Sequence, residues 1–256
     1  MAEVVIVTSA AQAGAIAAEH IAGLVARKPD AVLGLATGST PLPVWAALRE
    51  RGVDLTCVRG FALDEYLGLP PGHPESYAAV IAREVVEPLG LDPSLVRVPG
   101  DDGGPVETAG VRYEEAIHAA GGVDLQILGI GRTGHIGFNE PGSSLASRTR
   151  VKTLTDATRA DNARFFASPD EVPRHCLTQG LGTILEAREL LLLAFGDAKA
   201  EAVAGAVEGP VSASLPASVI QLHPEVTVLI DEAAASRLRY ADYYRSAWEH
   251  RFSVVE

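Results

Sequence analysis

His135 and Glu140 are the residues whose type and spacing point most directly to chemistry. They lie in Asp124-Leu-Gln-Ile-Leu-Gly-Ile-Gly-Arg-Thr-Gly-His-Ile-Gly-Phe-Asn-Glu140-Pro141, where an apolar run ends in a loop with glycines at 129, 131, 134 and 137. A carboxylate five residues from an imidazole in a bent loop can hydrogen-bond it, orient it and raise its basicity. A second candidate is the adjacent pair Asp64 and Glu65 at the end of Phe61-Ala-Leu. Neighbouring side chains on extended backbone point to opposite sides, so one acid is expected to face a site and the other to make structural contacts.

Two further segments suit an anion. Thr37-Gly38-Ser39-Thr40-Pro41 follows an apolar run and precedes a helical pattern, with Thr40 expected as the N-cap and Pro41 at the first helical position. Its backbone N–H groups and hydroxyls can cradle a phosphate without a Walker lysine. In Phe195-Gly-Asp-Ala-Lys199, Asp197 reads as a cap and Lys199 as a first-turn cation. A cation there is disfavoured by roughly 0.3–1 kcal/mol unless an anion sits beside it.

Gly129, Gly131 and Gly134 also spell G-x-G-x-x-G, but a dinucleotide site needs a helix opening at the third glycine and an acid about 20 residues on. Gly137, Pro141 and Gly142 interrupt any such helix, and Arg150, Val151 and Lys152 stand where the acid belongs. A metal is not expected, because one histidine and one glutamate without His-x3-His or Cys-x2-Cys fall short of a zinc set. The other six histidines, His20, His73, His118, His175, His223 and His250, read as packing or surface residues.

The elements that must position these groups alternate. Strands are expected at Glu3–Val7, Ala31–Ala36, Phe61–Leu63, Leu125–Ile130, Arg148–Leu154, Leu190–Phe195 and Val226–Ile230. Helices are expected at Ala10–Arg27, Leu42–Arg51, Ser76–Val86, Val106–Ala119, Thr178–Ala187, Ala198–Val207 and Tyr240–Arg251. The alternation predicts an α/β fold: an open, mostly parallel sheet with helices on both faces, a Rossmann-like three-layer sandwich. Right-handed crossovers then bring the loops after the strands to one edge. At 256 residues the chain suits a single domain, residues 1–256.

Composition narrows the partners. A net charge of −12 argues against nucleic acid and anionic membrane, which select basic surfaces. No apolar run approaches the ~18–20 residues of a membrane span, and the N-terminus shows no basic n-region. Cys57 and Cys176 are too few for a disulfide framework. A cytoplasmic location is expected.

Taken together, the chain resembles the glucosamine-6-phosphate deaminase (glucosamine-6-phosphate isomerase) family. The resemblance is carried by LGLATGSTP, LDEYLGLPPGHPESY, LGIGRTGHIGFNEPGSSLASRTRVKTL, TRADNARFF, LTQGLGTILEARELLLLAFGDAKAEAVAGAVEG and ASVIQLHPEVTVLID, from about residue 31 to 231. It implies conversion of D-glucosamine 6-phosphate and water to D-fructose 6-phosphate and ammonia, in amino-sugar catabolism, with no cofactor. It further implies that Asp64 moves the proton from C2 to C1, that His135 assists ring opening with support from Glu140, and that Thr37, Gly38, Ser39, Thr40, Arg164 and Lys199 hold the phosphate.

One position departs from the family pattern. Thr133 stands two residues before the loop histidine, where the family has Asp or Asn, so His135 is expected to lean on Glu140 alone. Some hexameric members are activated by N-acetylglucosamine 6-phosphate between subunits, through residues matching Ser143, Ser144, Arg150 and Lys152, which makes an effector and a homo-oligomer candidates here. The rival readings are a 6-phosphogluconolactonase-like hydrolase, which would need the phosphate site and histidine but not Asp64, and a non-catalytic sugar-phosphate sensor.

Overall fold

The computed structural model describes residues 3–251. In chain order it runs β1 (Glu3–Val7), α1 (Ala10–Arg27), β2 (Val32–Leu35), α2 (Leu42–Arg51), β3 (Arg59–Ala62), β4 (Asp64–Leu67), α3 (Tyr77–Ile81), α4 (Glu87–Leu89) and β5 (Val96–Arg97). It continues through α5 (Val106–Ala119), β6 (Leu125–Gly129), β7 (Arg150–Thr153), α6 (Asp156–Asn162), β8 (His175–Thr178), α7 (Leu181–Leu185), β9 (Glu189–Ala194), α8 (Ala200–Glu208), β10 (Val226–Asp231) and α9 (Ala241–Glu249).

Seven strands form one parallel sheet in the order β1-β10-β9-β6-β2-β3-β5, with helices around it. Its central strands are near-continuous apolar runs because both of their faces are covered. Ile127, Leu128, Leu192, Leu193 and Leu229 are essentially inaccessible to solvent. Each such side chain contributes roughly 1.5–3 kcal/mol through burial. No helix of the described residues is long and apolar enough to cross a membrane.

The strand order determines where a ligand can sit. After β2 the chain proceeds outward to β3, whereas after β6 it proceeds the other way to β9. The loops leaving β2 and β6 therefore diverge and leave a crevice at the carboxyl ends of the strands. The turn after β2 is held from below by helix packing. Gly14 of α1 lies so close to α2 that a Cβ there would come within 2.4 Å of the Pro43 carbonyl oxygen.

A second sheet, antiparallel in the order β4-β8-β7, stands beside the first. Of its strands only β7 is expected from the sequence. The local pattern predicts a helix from Thr178 to Ala187, but Thr178 ends β8 and the helix begins at Leu181. Pairing of β8 with both β4 and β7 overrides the local helical pattern. The closing helix spans Ala241–Glu249 rather than Tyr240–Arg251.

Candidate active site

Four neighbouring strands of the large sheet, β9, β6, β2 and β3, deliver their following loops to one cavity of about 580 Å³. That volume suits a small metabolite. The cavity is lined by Thr37, Gly38, Ser39 and Thr40 after β2, Asp64 after β3, His135 after β6 and Lys199 after β9. Arg164 joins them from the short 3-10 turn that follows α6. Residues separated by more than a hundred positions thus share one site.

Asp64 and Glu65 separate as the alternation requires. Leu63 makes the last hydrogen bond to the large sheet, through its N–H to the Leu35 carbonyl at 3.0 Å. Asp64 then opens β4 opposite Thr178. Its carboxyl group is buried in the cavity wall, and burial, with the charge of Glu65, pushes its pKa up to about 8. Glu65 turns away and accepts the backbone N–H groups of Tyr66, Tyr77 and Ala78 at 2.7, 2.9 and 2.8 Å. It thereby satisfies donors at the start of α3 that the helix cannot satisfy itself.

The glycine-rich loop is shaped around His135. A Cβ at Gly131 would lie 2.1 Å from the imidazole, so the ring occupies the space a side chain would need. Gly137 adopts φ +53°, and a Cβ there would stand 3.5 Å from a carboxylate oxygen of Asp64. The loop therefore crosses directly over that acid.

Behind His135 the structure departs from the expected direct reliance on Glu140. The imidazole Nδ1 is 3.5 Å from the Glu140 carboxylate but only 2.9 Å from the Thr133 hydroxyl, which in turn donates to Glu140 at 3.3 Å. A hydroxyl has one proton and two lone pairs. With its proton on Glu140, Thr133 accepts from Nδ1–H, which leaves Nε2 as the acceptor. Thr155, at 3.2 Å, and Thr158 donate to the other carboxylate oxygen of Glu140. Burial opposes ionisation of Glu140, but the nearby His135 and the hydrogen bonds from Thr158 and Thr155 hold its pKa down at about 2. The anion needed to align the chain is therefore permanent above that pH.

Replacement of Thr133 tests the bridge. Thr133→Val keeps the shape and removes the hydroxyl, and kcat/KM on the closed sugar should fall by roughly 10–100-fold, the order of one hydrogen bond to a charged group. Thr133→Ser should retain most activity. Equal rates for Val and Ser would reduce Thr133 to a packing residue.

Two local expectations at the anion end are corrected. The N-cap of α2 is Pro41 rather than Thr40, and no side chain caps it. Thr40 instead lies against Gly129 at the end of β6, about 4 Å from where a Cβ would stand. Asp197 does not cap α8; it begins a 3-10 turn, and Lys199 occupies the N-cap position ahead of that helix. Gly38 has φ +85°, a conformation that a side chain would strain. Burial lowers the pKa of Lys199; Asp161 opposes this, and Arg132 and Arg164 add to it. Arg132, Asp161, Asn162 and Tyr77 also line the cavity, and no sequence pattern singles them out.

The four residues matched to an effector site lie on β7 and on the loop that follows Glu140. Arg150 and Lys152, two residues apart on β7, are both half-buried and share one face of the strand, and the Arg150 guanidinium donates to Asn139 at 2.7 Å. Ser144 accepts from the Ala146 N–H at 3.3 Å. Ser143 is buried, and its hydroxyl has no protein partner. Among the described residues no group of three or more His, Cys, Asp or Glu is arranged to hold a metal ion.

Comparison with known proteins places this geometry in context. The family model described as glucosamine-6-phosphate isomerases/6-phosphogluconolactonase matches residues 7–229. A glucosamine-6-phosphate deaminase of Bifidobacterium longum is 59% identical over 98% of each chain, and one of Streptomyces coelicolor is 58% identical over 97% of each. Among solved structures, a monomeric glucosamine-6-phosphate deaminase superposes with a TM-score of 0.88 at 42% identity, over 92% of this chain and 99% of its own. A 6-phosphogluconolactonase of Trypanosoma brucei shares the fold, with a TM-score of 0.72 at 17% identity over 93% of this chain and 99% of its own.

Proposed function

The chain belongs to the glucosamine-6-phosphate isomerase/6-phosphogluconolactonase family, and from that premise we infer that it is a glucosamine-6-phosphate deaminase. It converts D-glucosamine 6-phosphate and water to D-fructose 6-phosphate and ammonia. The observation that carries the assignment of roles is the shared cavity: a buried carboxylate, a relayed histidine and a cationic end lie on its walls.

The phosphate binds at the Thr37–Thr40 turn with Lys199 and Arg164, far from the reacting carbons, and supplies orientation. His135 Nε2 takes the proton of the anomeric hydroxyl and returns it to the ring oxygen, which opens the sugar. The imidazolium formed in passing is stabilised through Thr133 by the Glu140 carboxylate. Asp64, when ionised, removes the C2 proton while the substrate's 2-ammonium group gives one of its protons to O1, which yields a neutral enolamine, and then delivers the C2 proton to C1. The resulting C2 imine adds water and releases ammonia, leaving the ketone of fructose 6-phosphate. A lactonase would use the same anion site and histidine but has no task for Asp64, whose burial beside the loop favours the deaminase reading.

The reading places the enzyme in the cytoplasm, supported by two free cysteines, Cys57 and Cys176. It treats N-acetylglucosamine 6-phosphate activation and homo-oligomer formation as separable from catalysis, since every group in the proposed mechanism comes from one chain.

The test is direct. Purified protein should release ammonia from glucosamine 6-phosphate at the same rate with and without a chelator. Activity lost in chelator and restored by zinc would overturn the metal-free mechanism. Hydrolysis of 6-phosphogluconolactone without ammonia release from the amino sugar would favour the lactonase.

A further inference from the structure

Arg132 follows Gly131 in the glycine-rich loop and lines the same cavity as Lys199 and Arg164. The loop leaves β6 beside the phosphate turn, since Gly129 lies against Thr40. The guanidinium pairs with Asp161 of α6, its Nε donating at 3.1 Å and an Nη donating to the other carboxylate oxygen. Both partners are substantially exposed, at 56% and 40% of their side-chain surfaces, so the pair is weak and exchangeable.

An acid at a phosphate site is unfavourable unless it has a task. Asp161 lines the cavity with the very groups assigned to the anion, and its charge opposes that of a phosphate. Pairing with Arg132 cancels that opposition. A phosphate dianion is a stronger partner for a guanidinium than a carboxylate is, and the planar fork suits it.

We propose that Arg132 is a third cationic ligand of the substrate phosphate, one that exchanges its partner Asp161 for the phosphate on binding. The proposal rests on the phosphate end assigned above. It gives Asp161 the role of a positioning residue that keeps the guanidinium extended beside the site.

Steady-state kinetics on glucosamine 6-phosphate, with inorganic phosphate as a competing probe, tests it. Arg132→Ala should raise KM by about tenfold, weaken inhibition by phosphate to match and leave kcat within about twofold, the pattern of lost uniform binding. Asp161→Asn should lower KM and strengthen phosphate inhibition, because Arg132 is then free for the anion. The double variant should bind better than Arg132→Ala, because the uncancelled Asp161 charge is gone, but remain clearly weaker than the wild type, because the phosphate has still lost a cationic ligand.

If Asp161→Asn restores the Arg132→Ala variant to wild-type KM, Arg132 only neutralises Asp161 and the proposal fails. Equal losses from both single variants would make the pair a structural tie between the loop and α6, which also overturns it. Lys199→Ala is the control for the underlying reading. If it leaves KM unchanged, the phosphate end itself is misplaced; if it raises KM while Arg132→Ala does not, only the inference about Arg132 is wrong.

Discussion

Asp64→Asn should lower turnover by about 10²–10⁴ while changing substrate binding little, because the amide keeps the shape and removes the base. Exchange of the C2 hydrogen with solvent deuterium should stop as well. A variant that still exchanges at the normal rate would move the role elsewhere, with Glu65 the first suspect. The pKa of about 8 adds a pH signature. Only the ionised carboxylate is a base, so kcat/KM of the wild type should fall as pH drops below about 8.

The same burial has a stability consequence of definite sign. Asp64 is raised from 3.8 to about 8 on folding. Below the lower value it is protonated in both states and costs nothing. Between the two, the unfolded chain releases the proton and the folded protein keeps it, so stability falls with rising pH until about 8. An amide in its place does not titrate. Asp64→Asn should therefore be the more stable protein at pH 8, by several degrees in Tm, and the advantage should vanish towards pH 4. At this chain length ~1 kcal/mol moves Tm by about 2–4 °C. A Tm difference independent of pH would mean that the carboxyl group is not held neutral.

The second large effect is expected at the anion end. Lys199→Ala and Arg164→Ala should each raise KM for glucosamine 6-phosphate by roughly 10–150-fold, since a charge-assisted hydrogen bond contributes ~1.5–3 kcal/mol. Lys199 should show the larger loss, because it is partly buried and Arg164 is exposed on its turn. Unphosphorylated glucosamine should be a poor substrate for the wild type and nearly indifferent to both changes. Equal losses on both sugars would indicate a structural role for these cations.

Much of the fold was legible along the chain. Apolar runs such as Leu125–Gly129 and Glu189–Ala194 are buried on both faces, and helices such as α1 and α5 present one apolar side. Each pattern is complete within a dozen or so residues, so sequence alone determined the alternation and hence the parallel sheet. It also located the loops after β2, β3, β6 and β9, because glycines, hydroxyls and isolated charges break the apolar pattern there. The resemblance to the deaminases then linked those loops to one substrate.

What the chain could not display was pairing between distant segments. The β4-β8-β7 sheet, which sets Asp64 opposite Thr178, brings together four-residue strands, two of them more than a hundred positions apart. Of these only β7 was recognisable; β4 and β8 carry too little periodicity of their own, and their stability comes from neighbours rather than from their own residues. The Arg132–Asp161 pair, between a loop and a helix 29 positions apart, is decided by the same packing, whereas the Thr133 bridge between His135 and Glu140 is local in sequence but depends on the bend of its loop. Residue identity determined which chemistry was available; tertiary structure decided which groups came within hydrogen-bond reach, because an interaction confined to about 3 Å depends on the path of the whole chain.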